Sequence, residues 1–147
     1  MNTHIIAVGK SRGYLNEEAV AEYTSRLQHY THTEWVFIPG SDPTAEGALI
    51  LKAIPEHSYV IVLDESGKSL SSLQLADFIQ KRLNESVKHI IFIIGGAHGF
   101  DEQVMLRAQF VWSLSALTFP HELARVILAE TMYRAYTIIR GEKYHHM

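Results

Sequence analysis

The chain has 147 residues and no cysteine. Disulfides, thiolate metal sites and a cysteine nucleophile are therefore excluded, and a reducing compartment suits it. Long apolar runs are missing as well. None approaches the roughly 18–20 residues that span a bilayer, and the opening MNTHIIAVGK lacks the basic segment, apolar core and small-residue cleavage site of a leader. These absences predict a soluble, cytoplasmic protein with no membrane partner. An excess of positive charge is lacking too: the net charge is −3, which argues against broad adhesion to nucleic acid. The imbalance is local, however. Residues 121–147 carry Arg125, Arg134, Arg140 and Lys143 against Glu122, Glu130 and Glu142, with His121, His145 and His146 beside them. A polyanion would meet this end, although basic residues there also complement a helix dipole.

Several catalytic signatures are absent. Gly67-Lys68-Ser69 matches the end of a phosphate-binding P-loop, but the glycine needed five positions before Gly67 is Val62, so that reading fails. The stretch GGAHGF is not the G-x-G-x-x-G of a dinucleotide site. Neither a G-x-S-x-G elbow nor an H-E-x-x-H metal helix occurs. Nine histidines are present, but adjacent His145 and His146 do not easily serve one ion, and His121 suits a helix start as well as a ligand. No metal is expected.

What is present is alternation. Five apolar stretches read as strands: His4–Val8, Trp35–Ile38, Tyr59–Leu63, Ile90–Ile94 and Phe110–Leu114. Between them Leu15, Ala19, Tyr23 and Leu27 recur every four residues as an amphipathic stripe. Thr44–Ile54 is a shorter helix closed by Pro55, Ser71 and Gln74 form a capping box for a helix to Asn84, and Asp101 caps a short helix ending near Ala108. A long helix starts at Pro120 and runs to Arg140, where Gly141 stops it. The pattern predicts a single domain over residues 1–147 of α/β class, with a mainly parallel sheet buried on both faces. Apolar residues fall in every sector of the last helix. Either the monomer buries it entirely or a second copy covers one side, and a homodimer is the simpler expectation.

Ligands of open α/β sheets bind beyond the carboxyl ends of strands. Three such ends stand out: LDESGKSLS, GGAHGF and SLSALTFPH. Gly95, Gly96 and Gly99 follow a buried strand directly, so the turn there is tight or something approaches the bare backbone. Small residues, loop backbone and the apolar walls of Leu63, Leu117 and Phe119 suit a nucleoside.

Taken in order, IIAVGK, VLDESGKSLSS, FIIGGAHGF, WSLSALTFPHELARVILAETMYRAY and RGEKYHH resemble the RlmH family of the SPOUT methyltransferase superfamily over nearly the whole chain. That resemblance implies a homodimeric parallel α/β fold with a C-terminal trefoil knot. It implies methylation of N3 of a pseudouridine in large-subunit ribosomal RNA by S-adenosylmethionine. It places the cofactor around Leu63, Gly95, Gly96, Ser115, Ala116, Leu117, Thr118, Phe119 and Pro120. It places the substrate chemistry at Arg134, Tyr144 and His145, with Arg140 and His146 nearby; His145 is the expected proton acceptor. Many relatives carry Lys or Arg after the Tyr-His pair, whereas His146 and Met147 stand here, so no permanent charge follows. His98 receives no role. With so acidic a chain, the expected substrate is an assembled ribosome. A noncatalytic ribosome-associated factor and an enzyme for transfer RNA are the alternatives.

Overall fold

In the computed structural model, which describes residues 1–9 and 14–146, the β-branched runs form five strands. Lys10 of the opening motif, the side chain of Leu15 and Met147 lie outside the described residues. The strands are β1 (Asn2–Val8), β2 (Thr33–Ile38), β3 (Ser58–Ser69), β4 (His89–Ile94) and β5 (Phe110–Ser113). The helices are α1 (Tyr14–Leu27), α2 (Pro43–Ala53), α3 (Ser72–Asn84), α4 (Glu102–Arg107) and α5 (His121–Ile139). All strand pairs are parallel, in the order β2-β1-β4-β3-β5.

Helices α1 and α3 flank α5 on one face, and α2 meets α4 on the other. Crossovers toward β2 use the first face and crossovers toward β5 use the second, as a constant crossover hand demands. The continuous apolar run of β4 follows from this layering. Ile90, Phe92 and Ile94 enter the core beneath α5, while Ile91 and Ile93 enter the core beneath α2 and α4. Ile90 to Ile93 are completely buried, each side chain contributing about 1.5–3 kcal/mol.

Local signals explain most boundaries. The capping box of α3 forms in both directions, Gln74 N–H donating to Ser71 Oγ at 3.1 Å and Ser71 N–H to Gln74 Oε1 at 2.8 Å. Gly141 takes φ +68° and its N–H closes the last turn of α5 onto the Ile138 carbonyl at 3.0 Å. The expected cap at Asp101 differs. Its side chain makes no capping bond, because it packs on α2: a Cβ on Gly47 would stand 2.8 Å from Asp101 Cβ.

The largest departure is β3, which does not end at Leu63. Leu63 and Lys68 both pair with Trp112 of β5, so residues 64–67 bulge out of register with β5 inside a strand that continues to Ser69. Gly67-Lys68-Ser69 is thus strand rather than a phosphate loop. Gly67 makes the excursion possible, since a Cβ there would lie 2.5 Å from the Val111 carbonyl oxygen and 2.7 Å from Trp112 N. Sequence alternation cannot show this, because a bulge preserves the residue types while changing the pairing.

The last helix is not buried all round within one chain. Leu128, Ala129, Met132, Ala135 and Tyr136 form its buried stripe, while Leu123 on the outer side is 40% exposed. Its first turns are strapped to β1 by the buried Arg125, whose Nη2 donates to the carbonyls of Val8 and Gly9 at 3.0 and 2.9 Å. Burial lowers the affinity of that guanidinium for its proton, partly offset by Glu122.

Candidate active site

The three strand ends singled out by composition converge on one cavity of about 560 Å³. The β3 excursion contributes Leu63, Asp64, Glu65 and Ser66, the loop after β4 contributes Gly95 to Ala97 with Gly99 and Phe100, and the segment from Ser113 to Phe119 closes it. His121 and Ala124 of α5 complete the wall. The third segment holds its shape through its own hydroxyls. Ser113 Oγ donates to the Ser115 carbonyl at 2.9 Å, and Ser115 Oγ accepts from Leu117 N–H at 2.9 Å. Thr118 Oγ1 donates to Glu65 Oε1 at 2.8 Å, joining this segment to the excursion.

The glycines have distinct duties. Gly95 lies under the Phe100 ring, whose Cζ would be 2.8 Å from an added Cβ. A Cβ on Gly96 would lie 3.0 Å from Val8 Cγ1 and 3.4 Å from the buried Glu46 carboxylate. Their bare α-carbons are thus required by packing, and this leaves main-chain groups at the cavity wall. Gly99 has open space around it and φ +78°, so it serves the turn.

A second constellation lies along α5. Arg134 Nε and Nη2 donate to Glu130 Oε1 at 3.0 and 2.6 Å, and the Tyr144 hydroxyl donates to the same oxygen at 3.1 Å. Arg134 Nη1 is 3.1 Å from His145 Nδ1, and a guanidinium has only donors to offer. His145 Nδ1 therefore accepts, and in the neutral ring its proton sits on Nε2. Tyr144 packs edge-on against Tyr133 at 4.6 Å between centroids and lies under Arg134 at 4.8 Å. Burial first, then hydrogen bonding with Tyr23 and the charge of Glu130, push the Tyr144 hydroxyl well above the ordinary phenol range. The tail is pinned once more where Tyr30 donates to Glu142 at 2.8 Å. Burial and that carboxylate raise the Tyr30 hydroxyl to about 12.

Of the residues expected around a cofactor, Leu63, Gly95, Gly96, Ser115, Leu117, Thr118 and Phe119 line the cavity. Ala116 and Pro120 do not line it; both are exposed, and Pro120 caps α5 by accepting from Ala124 N–H at 3.0 Å. Arg134, Tyr144 and His145 do come together, but away from the cavity. Six to ten residues separate Ala124 from Glu130 and Arg134, about 9–15 Å along the axis. Arg140 and His146 are exposed, with the Arg140 guanidinium 5.4 Å from the Tyr30 ring centre. His98 is exposed and off the cavity. Sequence reasoning missed Asp64, Glu65, Phe100 and above all Glu130. The signal for Glu130 was the i, i+4 spacing with Arg134.

No group of three or more His, Cys, Asp or Glu able to hold a metal occurs among the described residues. No helix among them is long and apolar enough to cross a membrane.

Comparison with known proteins supplies a family. The profile described as "Predicted SPOUT methyltransferase" matches residues 1–145. Curated proteins named "Ribosomal RNA large subunit methyltransferase H" are 39% identical in Christiangramia forsetii and 42% identical in Gloeobacter violaceus, each covering 99% of both chains. The same name is carried by a protein of Syntrophotalea carbinolica that is 40% identical with the same coverage. A solved structure titled as a probable methylase family protein from Haemophilus influenzae Rd KW20 superposes with a TM-score of 0.59 at 13% identity, covering 99% of this chain and 71% of that one. That last likeness bears on the fold alone.

Proposed function

This chain belongs to the SPOUT methyltransferase family, and from that premise we propose that it moves a methyl group from S-adenosylmethionine to N3 of a pseudouridine in large-subunit ribosomal RNA. The name borne by its full-length relatives supports the ribosomal substrate. The single observation that carries the donor site is the cavity, where three strand ends present main chain and small side chains around a nucleoside-sized space.

Leu63, Leu117 and Phe119 supply apolar walls for the donor, and the main chain at Gly95, Gly96 and Ser115 supplies polar contacts. Ala116 and Pro120 shape the segment rather than face the donor. The donor's sulfonium is already an activated electrophile. When bound, the donor would supply an activated methyl group: its carbon–sulfur bond would break with the electron pair returning to sulfur as the carbon–N3 bond forms. The N3 proton would pass to His145 Nδ1 once Arg134 frees it. Placement in line supplies roughly 7–11 kcal/mol, against about 10²–10⁴-fold for a general base. Positioning therefore dominates.

Arg134 is proposed to face the substrate and Tyr144 to pack beneath it. Its pairing with Glu130 through two donors fixes the guanidinium plane and leaves its remaining N–H groups for a ring carbonyl or phosphate. His145 accepts a proton at Nδ1 only when Arg134 releases that nitrogen; while bound, it offers an Nε2–H to the substrate. The 9–15 Å between tail and cavity along α5 supports a homodimer in which the tail of one copy completes the cavity of the other. The outer side of α5, where Leu123 is exposed and Ile127 half-buried, supports the same seam. We propose further that the segment from Ser113 into α5 threads a preceding loop as a trefoil knot, with the Thr118–Glu65 bond closing it. The assembled ribosome, in the cytoplasm, is the proposed substrate, since a chain of net charge −3 gains little from phosphate neutralisation alone.

Incubation of the pure protein with methyl-labelled S-adenosylmethionine and ribosomes lacking the modification tests the proposal. Label is expected at one pseudouridine of the large-subunit RNA. Its absence, or label on transfer RNA instead, rules out this assignment.

A further inference from the structure

Methyl transfer changes the charge of the molecule held in the cavity. The donor enters as a sulfonium cation and remains as a neutral thioether of almost the same shape, differing by one methyl group. Apolar contact distinguishes a single methyl only weakly, by at most about 10–200-fold and less where the group is solvated. A cavity that must release its product after each turnover needs another criterion.

The lining supplies one. Asp64 and Glu65 are its two carboxylates, and neither Lys nor Arg is among the lining residues described. Both acids sit on the β3 excursion and are held in place. The Asp64 carboxylate accepts from Ser66 N–H at 3.0 Å and from the Ser66 hydroxyl. Glu65 accepts at 2.8 Å from Thr118 Oγ1, another lining residue. The excursion carrying them is anchored by Gly67, which is pressed against the β5 main chain. A cleft lined by one sign of charge focuses field lines into its interior.

We infer that Asp64 and Glu65 make this cavity a discriminator of ligand charge, favouring the cationic sulfonium donor over its neutral thioether product. The inference rests on the donor-binding reading above. It assigns the two carboxylates a specificity role in exchange of product for donor, separate from chemistry at the tail.

Calorimetric titration with S-adenosylmethionine and with S-adenosylhomocysteine tests it on the full-length protein. In Glu65→Gln and Asp64→Asn, affinity for the donor is expected to fall about three- to tenfold, while affinity for the product stays within about twofold. In the wild type, donor affinity weakens as salt rises from about 0.05 to 0.5 M, and product affinity does not. The salt series stands even if a variant folds poorly, which its urea midpoint reports. Equal losses for both ligands, or no loss for either, overturn the charge discriminator and leave donor binding intact. If the folded wild type takes up neither ligand, the donor reading fails and takes this inference with it.

Discussion

At the carboxyl ends of β3, β4 and β5 the cavity is walled by main chain, small residues and a few apolar side chains. About ten residues along α5, the tail cluster is made of long polar side chains already bonded to one another. Among the described residues the cavity's two carboxylates meet only neutral donors and no lining Lys or Arg, whereas in the cluster Arg134 is paired with Glu130. On the proposed reading, a cluster that meets a structured RNA can keep Arg134 paired, since Glu130 orients the guanidinium and would limit indiscriminate phosphate contact. On the proposed function, this contrast would let one acidic chain hold a cationic donor and still approach a polyanion.

The sharpest way to break the comparison is Gly67→Ala. An added Cβ would lie 2.5–2.7 Å from β5 main-chain atoms that cannot swing aside. We expect a loss of about 2–4 kcal/mol in urea unfolding, with donor binding abolished and the tail cluster disturbed only through global unfolding. Gly99→Ala, in open space but at φ +78°, should cost only about 1 kcal/mol. The pair separates close approach from turn strain.

Arg134→Ala tests the other site. Single-turnover methylation of ribosomes should drop about 10²-fold or more, while donor affinity stays within about twofold. Loss of donor affinity in parallel would merge the two sites into one. Glu130→Gln keeps the shape and removes the charge, so a smaller loss of about tenfold is expected. The Tyr144 hydroxyl should then titrate at lower pH, because the Glu130 charge helps raise it; ultraviolet difference spectra would register the shift. An unchanged phenol midpoint would show that Glu130 does not govern the tail.

The smallest effect lies at the opposite end of the sheet. Burial, then the neighbouring His89, lower the His4 pKa in spite of Glu34, so the folded form disfavours the imidazolium. The unfolded chain then binds more protons near and below pH 6.5, and stability falls as pH drops through that window. His4→Gln should flatten the slope there and leave both sites untouched. A slope unchanged in this variant would assign the acid sensitivity elsewhere.

Element by element, the sequence is readable where local chemistry decides. Ser71 with Gln74 specifies the start of α3 because the two side chains and two N–H groups that pair are three residues apart. The Ile90–Ile94 run of β4 announces burial on both faces because it has no polar position to turn outward. Aggregation of the cavity loops could also be read, since the carboxyl ends of parallel strands lie together. Glu130 was harder, as a glutamate on a helix is ordinarily a solvated residue and its role depends on where the tail returns. Likewise Gly67 was set aside with a failed P-loop, because its constraint comes from a strand more than forty residues later in the chain.

The order of residues alone thus settled the alternation of strands and helices, the buried identity of β4 and the placement of the glycine loop, all consequences of periodicity and backbone preference acting over a few residues. Only the tertiary structure decided that β3 runs on past Leu63, that Phe100 and Val8 claim the space over Gly95 and Gly96, and that Glu130 gathers Arg134 and Tyr144. Those outcomes depend on which distant main chain or side chain arrives within a few ångströms, and steric exclusion and charge pairing at that range leave no periodic trace along the chain.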